Sequence, residues 1–124
     1  MSGQLVLRVL GEPDQGVIEE FRFYEGEERT LKLQVFDYED KQKWWIPTGS
    51  TLKVTLSGTP DDVEILDANV TVDSSDRSIF STVLQEATTE LMISGMATVE
   101  VTYSDGAQDV VRYAEKEHAI KKIT

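Results

Sequence analysis

The chain has 124 residues, 40% of them hydrophobic, and its 23 acidic and 12 basic residues give a net charge of −11. This length indicates one domain, residues 1–124, and the acidity argues against direct nucleic-acid binding because no strong basic patch offsets it. The absence of Cys excludes thiol catalysis, Cys-bound metal and disulfides. There is no apolar run long enough to cross a membrane and no signal-peptide pattern at the start, so we expect synthesis in a cytoplasm.

Six segments alternate apolar and polar residues, which is the pattern of half-buried strands. In chain order, their apolar faces are Leu5/Leu7/Val9, Phe21/Phe23, Leu31/Leu33/Val35, Leu52/Val54/Leu56, Ala68/Val70/Val72 and Ala97/Val99/Val101/Tyr103. Residues 110–114 and 118–123 are weaker strand candidates. One stretch, near residues 86–93, favours helix because it contains Ala, Glu, Leu and Met.

Turn-forming residues separate these segments. Loops or turns are predicted where Gly, Pro, Asp and Ser cluster, at residues 11–16, 25–27, 59–62 and 73–76. The strongest turn signal is Asp105-Gly106, since both residue types accept the backbone angles of a tight hairpin. Many short strands with regular turns indicate a β-sandwich or barrel. We predict an all-β fold, an immunoglobulin-like antiparallel β-sandwich with one short helix near residues 86–93.

The sequence offers no catalytic constellation. His118 is the single histidine and no Gly-x-Ser-x-Gly nucleophile motif accompanies it, so a surface strand position is the favoured interpretation. Acidic residues group in three loops, at 37–40, 61–62 and 73–76, and such groups offer oxygen ligands for calcium. In a chain with 23 acidic residues, solvated turns are the simpler interpretation. We therefore predict no enzymatic activity, no metal site and no cofactor.

The pair Trp44-Trp45 is the clearest candidate for a binding surface. Adjacent residues of a strand point to opposite faces, so at least one of the two indoles is expected at the surface. Together with Tyr38 and Ile46, an exposed indole would form a protein-interaction site, because large aromatic side chains dominate interface energetics. Two alternatives stay open: the second indole packs against its own domain, or the rings stack on a sugar.

Five motifs follow one another between residues 18 and 123. They are an acidic Gly turn before a Thr-Leu-Lys-Leu strand (23–33), a strand ending in Asp (35–37), a Gly-led strand (48–54), Asp76-Arg77-Ser78-Ile79 with the short helix of 84–95, and the Asp105-Gly106 hairpin before a terminal strand. This order resembles that of small immunoglobulin-like structural proteins of tailed phages. The resemblance includes the N-terminal domain of phage baseplate upper proteins and head and tail accessory proteins.

The resemblance implies a non-enzymatic virion protein that works through contacts with capsid or tail subunits, in a homo- or hetero-oligomeric assembly. The sequence ends at Thr124, whereas baseplate upper proteins continue into a further region, which favours a capsid decoration protein, a head-fibre base or a tail accessory protein. We expect localisation to the virion after synthesis in the host cytoplasm, with no direct nucleic-acid or membrane partner. The alternative is a carbohydrate- or ligand-binding β-sandwich module that uses the Trp pair.

Overall fold

The computed structural model describes residues 4–11, 16–57 and 62–123. Residues 12–15 of the predicted first loop and residues 59–61 of the predicted turn at 59–62 lie outside these ranges. The described chain forms β1 (Leu5–Leu10), β2 (Val17–Ile18), β3 (Phe21–Tyr24), β4 (Arg29–Asp37), β5 (Gln42–Lys43), β6 (Thr51–Ser57), β7 (Val63–Ile65), a 3₁₀ turn (Asp67–Asn69), β8 (Thr71–Val72), β9 (Ile79–Leu84), α1 (Glu86–Leu91), β10 (Gly95–Asp105) and β11 (Gln108–Ile123). No helix in this part of the chain is long and apolar enough to span a membrane.

The alternating segments of the sequence form strands with one buried side. In β6, Leu52, Val54 and Leu56 are buried, while Lys53 and Thr55 between them are partly exposed. The same alternation appears in β1, β3, β4 and β10. Successive side chains of a strand point to opposite faces, so each of these strands presents one apolar face to a core.

The hydrogen-bonded strands form one path in the order β7-β6-β10-β11-β1-β4-β9-β8. A flat path of this width would separate its end strands by roughly 34 Å, at about 4.8 Å per strand. Residues 66–70 alone join β7 to β8, and fully extended they span roughly 20 Å. The path therefore folds back on itself into two facing layers, β1-β4-β9-β8 and β7-β6-β10-β11.

This strand order is that of an immunoglobulin-like sandwich of the variable type. In such domains strands A, B, E and D form one sheet, and strands G, F, C and C′ form the other. Here β1, β4, β9 and β8 take the first set of positions, and β11, β10, β6 and β7 take the second. The chain has the all-β, immunoglobulin-like fold that its sequence predicts, with one short helix.

Two pairings within the predicted antiparallel sandwich are parallel. β11 pairs in parallel with β1, through Leu5 and Ala114, and then with β3 over its last four residues. The two weak candidates at 110–114 and 118–123 are thus parts of one long strand. Its pairing with β10 shifts register between Ala97 and Gly95, where His118 has a left-handed φ of 55°. This irregularity lies where β11 exchanges β1 for β3 as its neighbour.

The predicted apolar face Ala68/Val70/Val72 is wrong in part. Residues 67–69 form the 3₁₀ turn, and only Thr71–Val72 pair as strand. The cause is Asp67, whose Oδ1 accepts the backbone N–H of Leu52 at 2.9 Å. That bond ties the segment to β6.

The helix and the last hairpin deviate slightly from their predicted positions. Helix α1 occupies Glu86–Leu91 and thus ends two residues before the end of the predicted range, 86–93. In the hairpin, Asp105 is still a strand residue that pairs with Gln108, so the loop residues are Gly106 and Ala107. Gly106 has a φ of 70°, a conformation that glycine adopts without strain.

The core is one cluster of buried apolar side chains drawn from both layers. Its largest members, each under 2% exposed, are Phe23, Phe80, Leu31, Leu33, Ile46, Leu52 and Leu84. Since the sequence has no Cys, packing and backbone pairing have to stabilise the fold without disulfides.

Leu33→Ala should lower the free energy of unfolding by about 2–4 kcal/mol, because truncating a core side chain leaves a cavity. Leu33 is 1% exposed, whereas Leu91 is 73% exposed and provides the matched control. Leu91→Ala should change the free energy of unfolding by less than about 0.5 kcal/mol. Chemical denaturation followed by Trp fluorescence measures both, and equal midpoints would show that Leu33 is not a core residue.

Candidate functional site

Three connections meet at one end of the sandwich. β4 runs toward this end, and β9 starts from it because it is antiparallel to β4. β1 is antiparallel to β4 and β11 is parallel to β1, so both of these strands also start here. β10 is antiparallel to β11 and therefore runs toward this end. The connections are residues 38–50 after β4, residues 73–78 before β9 and the hairpin loop after β10. We use the term loop end for these three segments together. Binding residues often lie on loops that a rigid scaffold positions.

Asp37 builds the turn that follows β4. The residue is only 6% exposed. Its Oδ1 accepts hydrogen bonds from the backbone N–H of Glu39 at 2.9 Å and from that of Asp40 at 3.1 Å. Lys41 closes the turn by donating its backbone N–H to the Asp37 carbonyl oxygen at 2.9 Å. The acidic group at 37–40 therefore shapes its own loop, as Asx turns do.

Tyr38 lies on this turn and is 55% exposed. Its backbone N–H donates to the carbonyl oxygen of Gln4 at 2.9 Å, so its backbone is tied to the residue before β1. The ammonium of Lys41 lies 3.9 Å from the centroid of the Tyr38 ring, a distance typical of a cation–π contact. The ring is thus exposed but positioned.

The two indoles have different environments. Trp44 packs against the core, with its ring centroid 6.1 Å from that of Tyr103 and 5.6 Å from the guanidinium carbon of Arg112. Its backbone N–H donates to the Val35 carbonyl oxygen at 3.0 Å. Trp45 is 56% exposed. The expectation that at least one indole lies at the surface is confirmed, and Trp45 is that indole.

Ile46 corrects the predicted interaction site, because its side chain is a core residue only 1% exposed. Arg77 holds it there from the turn before β9. The Arg77 Nε donates to the Ile46 carbonyl oxygen at 2.9 Å, and its terminal nitrogen donates to the Pro47 carbonyl oxygen at 3.2 Å. The Ile46 backbone N–H donates in return to the Arg77 carbonyl oxygen at 3.0 Å. Ile46 therefore anchors the loop and offers no side-chain surface to a partner.

Asp76 joins two segments of the loop end. Its Oδ2 accepts from the Lys43 ammonium at 2.8 Å, and its Oδ1 accepts from the hydroxyl and the backbone N–H of Ser78. Burial by itself would raise the pKa of the Asp76 carboxyl, but the hydrogen bonds from Lys43 and Ser78 outweigh it and hold the pKa below its ordinary value. The predicted turn at 73–76 is confirmed, since Asp73 Oδ1 accepts the N–H groups of Ser75 and Asp76.

The structure places Tyr38 and Trp45 exposed on one connection, Trp44 partly buried beneath it and Ile46 in the core. Sequence analysis missed Arg77 and Tyr103, which support this arrangement. Tyr103 was assigned only to a strand face, and nothing local marks an arginine that bonds carbonyl oxygens about thirty residues away. Their partners are remote in sequence.

The loop end presents exposed aromatic rings beside carboxylates that are bonded within their own turns. Within residues 4–11, 16–57 and 62–123, no group of three or more His, Cys, Asp or Glu side chains could hold a metal ion. The carboxylates of Asp37, Asp73 and Asp76 accept hydrogen bonds from their own turns. His118 is exposed on β11, away from the loop end. The candidate site is thus an aromatic surface.

Comparison with known proteins leaves the family open. No protein-family model matches the sequence, and neither does any curated protein. Among solved structures, the chain is similar to the solution structure of the Ig-like domain of human leucine-rich repeat-containing protein 4, with 14% sequence identity and a TM-score of 0.39. The match covers 100% of this chain and 93% of that domain. The immunoglobulin-like assignment therefore depends on the strand order described above.

Asp76→Asn should flatten the acid side of the stability profile. Because the pKa of Asp76 is lower in the folded chain than the ordinary 3.8, its charged form stabilises the fold above about pH 4, and this contribution is lost as pH falls through the lowered pKa. The free energy of unfolding of the parent should therefore fall more steeply below about pH 4 than that of the variant. Urea denaturation across this range measures the difference.

Glu39→Gln is the control for this prediction, since it removes an exposed carboxylate from the same loop end. Its profile should run parallel to that of the parent. If the profile of Asp76→Asn were also parallel to that of the parent, the stabilising role of the Asp76 carboxylate would be wrong.

Proposed function

We propose that this chain is a non-enzymatic structural domain that binds another protein through its loop end, with Trp45 as the anchor. The observation that carries the proposal is the 56% exposure of a large indole on a loop whose backbone is fixed on both sides. The residue before Trp45 is bonded to Val35, and the residue after it exchanges bonds with Arg77. Tyr38 adds a second exposed ring on the same connection.

A fixed, exposed aromatic residue suits a protein anchor for two reasons. Tryptophan and tyrosine are enriched among the residues that contribute most to binding energy at interfaces. A loop that is already ordered loses less conformational freedom on association than a flexible one, so more of the contact energy appears as affinity. Both reasons favour a contact role for this end of the sandwich.

The proposed setting is a tailed-phage particle, in which the chain would be a capsid decoration protein, a head-fibre base or a tail accessory protein. Support for this setting comes from the order of sequence motifs between residues 18 and 123. The partners would be other capsid or tail subunits, and the net charge of −11 would limit nonspecific association with nucleic acid and with other acidic surfaces.

A carbohydrate-binding module is the second candidate. Flat aromatic rings stack on sugars, and Tyr38 and Trp45 are both more than half exposed on one connection. This candidate predicts binding on a glycan array that disappears in Trp45→Ser. A protein-binding role predicts no such glycan signal.

Trp45→Ser should weaken incorporation of the tagged chain into purified particles. Loss of an interface anchor costs about 2 kcal/mol or more, which is roughly a 30-fold loss of affinity. The amount of tagged chain per particle, compared with a capsid protein by immunoblot, measures the effect. A folded Trp45→Ser variant that incorporates like the parent would contradict the proposal.

Tyr24→Ser is the matched control, because Tyr24 is 59% exposed and lies at the opposite end of the sandwich, where β3 pairs with the end of β11. It removes an aromatic ring of similar exposure without touching the loop end. Incorporation of this control should equal that of the parent.

A further inference from the structure

A groove lies between β7 and the second half of β9, on the side of the sandwich where β8 is short. Two adjoining cavities of about 320 Å³ and 200 Å³ form it. They share four lining residues, Asn69, Thr82, Val83 and Gln85. The larger one has the volume of a small ligand pocket.

The backbone of Val83 faces this groove with both of its polar groups. The carbonyl of Ile79 accepts from Asp73 on the β8 side, and Ser81 pairs there with Thr71. The backbone polar groups of successive strand residues point to alternate neighbouring strands, so Val83 directs its N–H and carbonyl toward the β8 side, as Ile79 and Ser81 do. Asn69 stands where the next partner would be, but its N–H donates to the Leu66 carbonyl oxygen at 2.9 Å within the 3₁₀ turn. Within residues 4–11, 16–57 and 62–123, Val83 therefore presents an open strand edge.

Thr82 supplies an independent sign that the groove receives a ligand. This residue is 3% exposed, and within the described part of the chain its Oγ1 is buried without a hydrogen-bond partner. It lines both cavities. A buried hydroxyl without a partner is unfavourable for the isolated chain, because it has lost its hydrogen bonds to water. A ligand group that bonds this hydroxyl would remove the cost.

The rim of the groove favours a cationic ligand. Glu64 of β7 lines the larger cavity. Its carboxylate lies 3.5 Å from the ammonium of Lys53, which also lies 3.7 Å from the carboxylate of Glu100. Because Lys53 is shared between two carboxylates, it neutralises the charge of Glu64 only in part.

We propose that this groove is a strand-addition site for an extended segment of a partner protein. The main chain of that segment pairs with the N–H and carbonyl of Val83, as peptides pair with open sheet edges. A Ser or Thr of the segment, facing inward, bonds the hydroxyl of Thr82, and a Lys or Arg at its end meets Glu64. The groove is separate from the loop end, so the two sites make independent predictions.

A titration of the ¹⁵N-labelled full chain tests the site. The probe is a blocked peptide of sequence Lys-Val-Thr-Val-Thr-Val-Lys, and its comparison peptide carries Glu in place of both Lys. The Lys peptide should cause saturable shifts at the Val83 amide and slow its hydrogen exchange, with affinity about tenfold higher than that of the Glu peptide. The same Lys peptide, N-methylated at its central residues, should not bind, since it can no longer donate to the Val83 carbonyl.

Thr82→Val separates a ligand role from a purely structural one. Removing the unpaired hydroxyl should raise the melting temperature of the free chain and also weaken the Lys peptide by about tenfold. Thr102→Val, the same substitution on the outer side of β10, should leave peptide affinity unchanged. A higher melting temperature with unchanged affinity would overturn the role of Thr82.

Two other outcomes would overturn the groove as a binding site. The first is the absence of saturable shifts up to about 2 mM of the Lys peptide, which would mean a binding free energy weaker than about 4 kcal/mol. The second is a set of shifts centred on Tyr38 and Trp45, which would place peptide binding at the loop end. The second outcome would leave the proposed function intact. Reduced incorporation of Trp45→Ser would support the proposed function but would not support peptide binding in the groove.

Discussion

The short connection between β7 and β8 is the constraint on which the architecture depends. Residues 66–70 join the two ends of the strand path, so the sheet closes into facing layers instead of lying flat. Asp67 ties this connection to β6 through the N–H of Leu52 and leaves β8 only two residues long. The enclosed core and the short β8 are therefore two results of one link.

Much of the fold was predictable because the period of a strand is local. Alternation identified the buried faces of β1, β3, β4, β6 and β10, and Leu33 and Val54 are among the core residues it assigned. The sequence pattern failed where a residue or strand distant in the chain determines the local structure. The carboxylate of Asp67 bonds a residue fifteen positions earlier, and β11 exchanges one neighbouring strand for another in mid-course. Neither event leaves a local pattern.

The candidate site was predictable in composition but not in detail. The exposure of at least one of Trp44 and Trp45 was expected from alternation within a strand, yet residues 44–47 lie outside the paired strands. The predicted interaction site also included Ile46, a neighbour of the Trp pair, which Arg77 and the core hold inward. Side chains that bond distant carbonyls, such as Arg77, order this loop. A disulfide-free domain can thus hold an aromatic side chain at its surface through hydrogen bonds and core packing of the residues on either side of it.

The parallel pairing of β1 with β11 has a mechanical consequence. Because the two strands run in the same direction, Gln4 lies at the loop end and Ile123 at the other end of the sandwich. Tension applied between these two residues would load the hydrogen bonds of β1 along the strands, in shear. Bonds loaded in shear have to break together, whereas bonds that are peeled break one at a time. The pairing of β1 with β11 would accordingly resist a pull applied between Gln4 and Ile123 more strongly than a pull that peels the two strands apart.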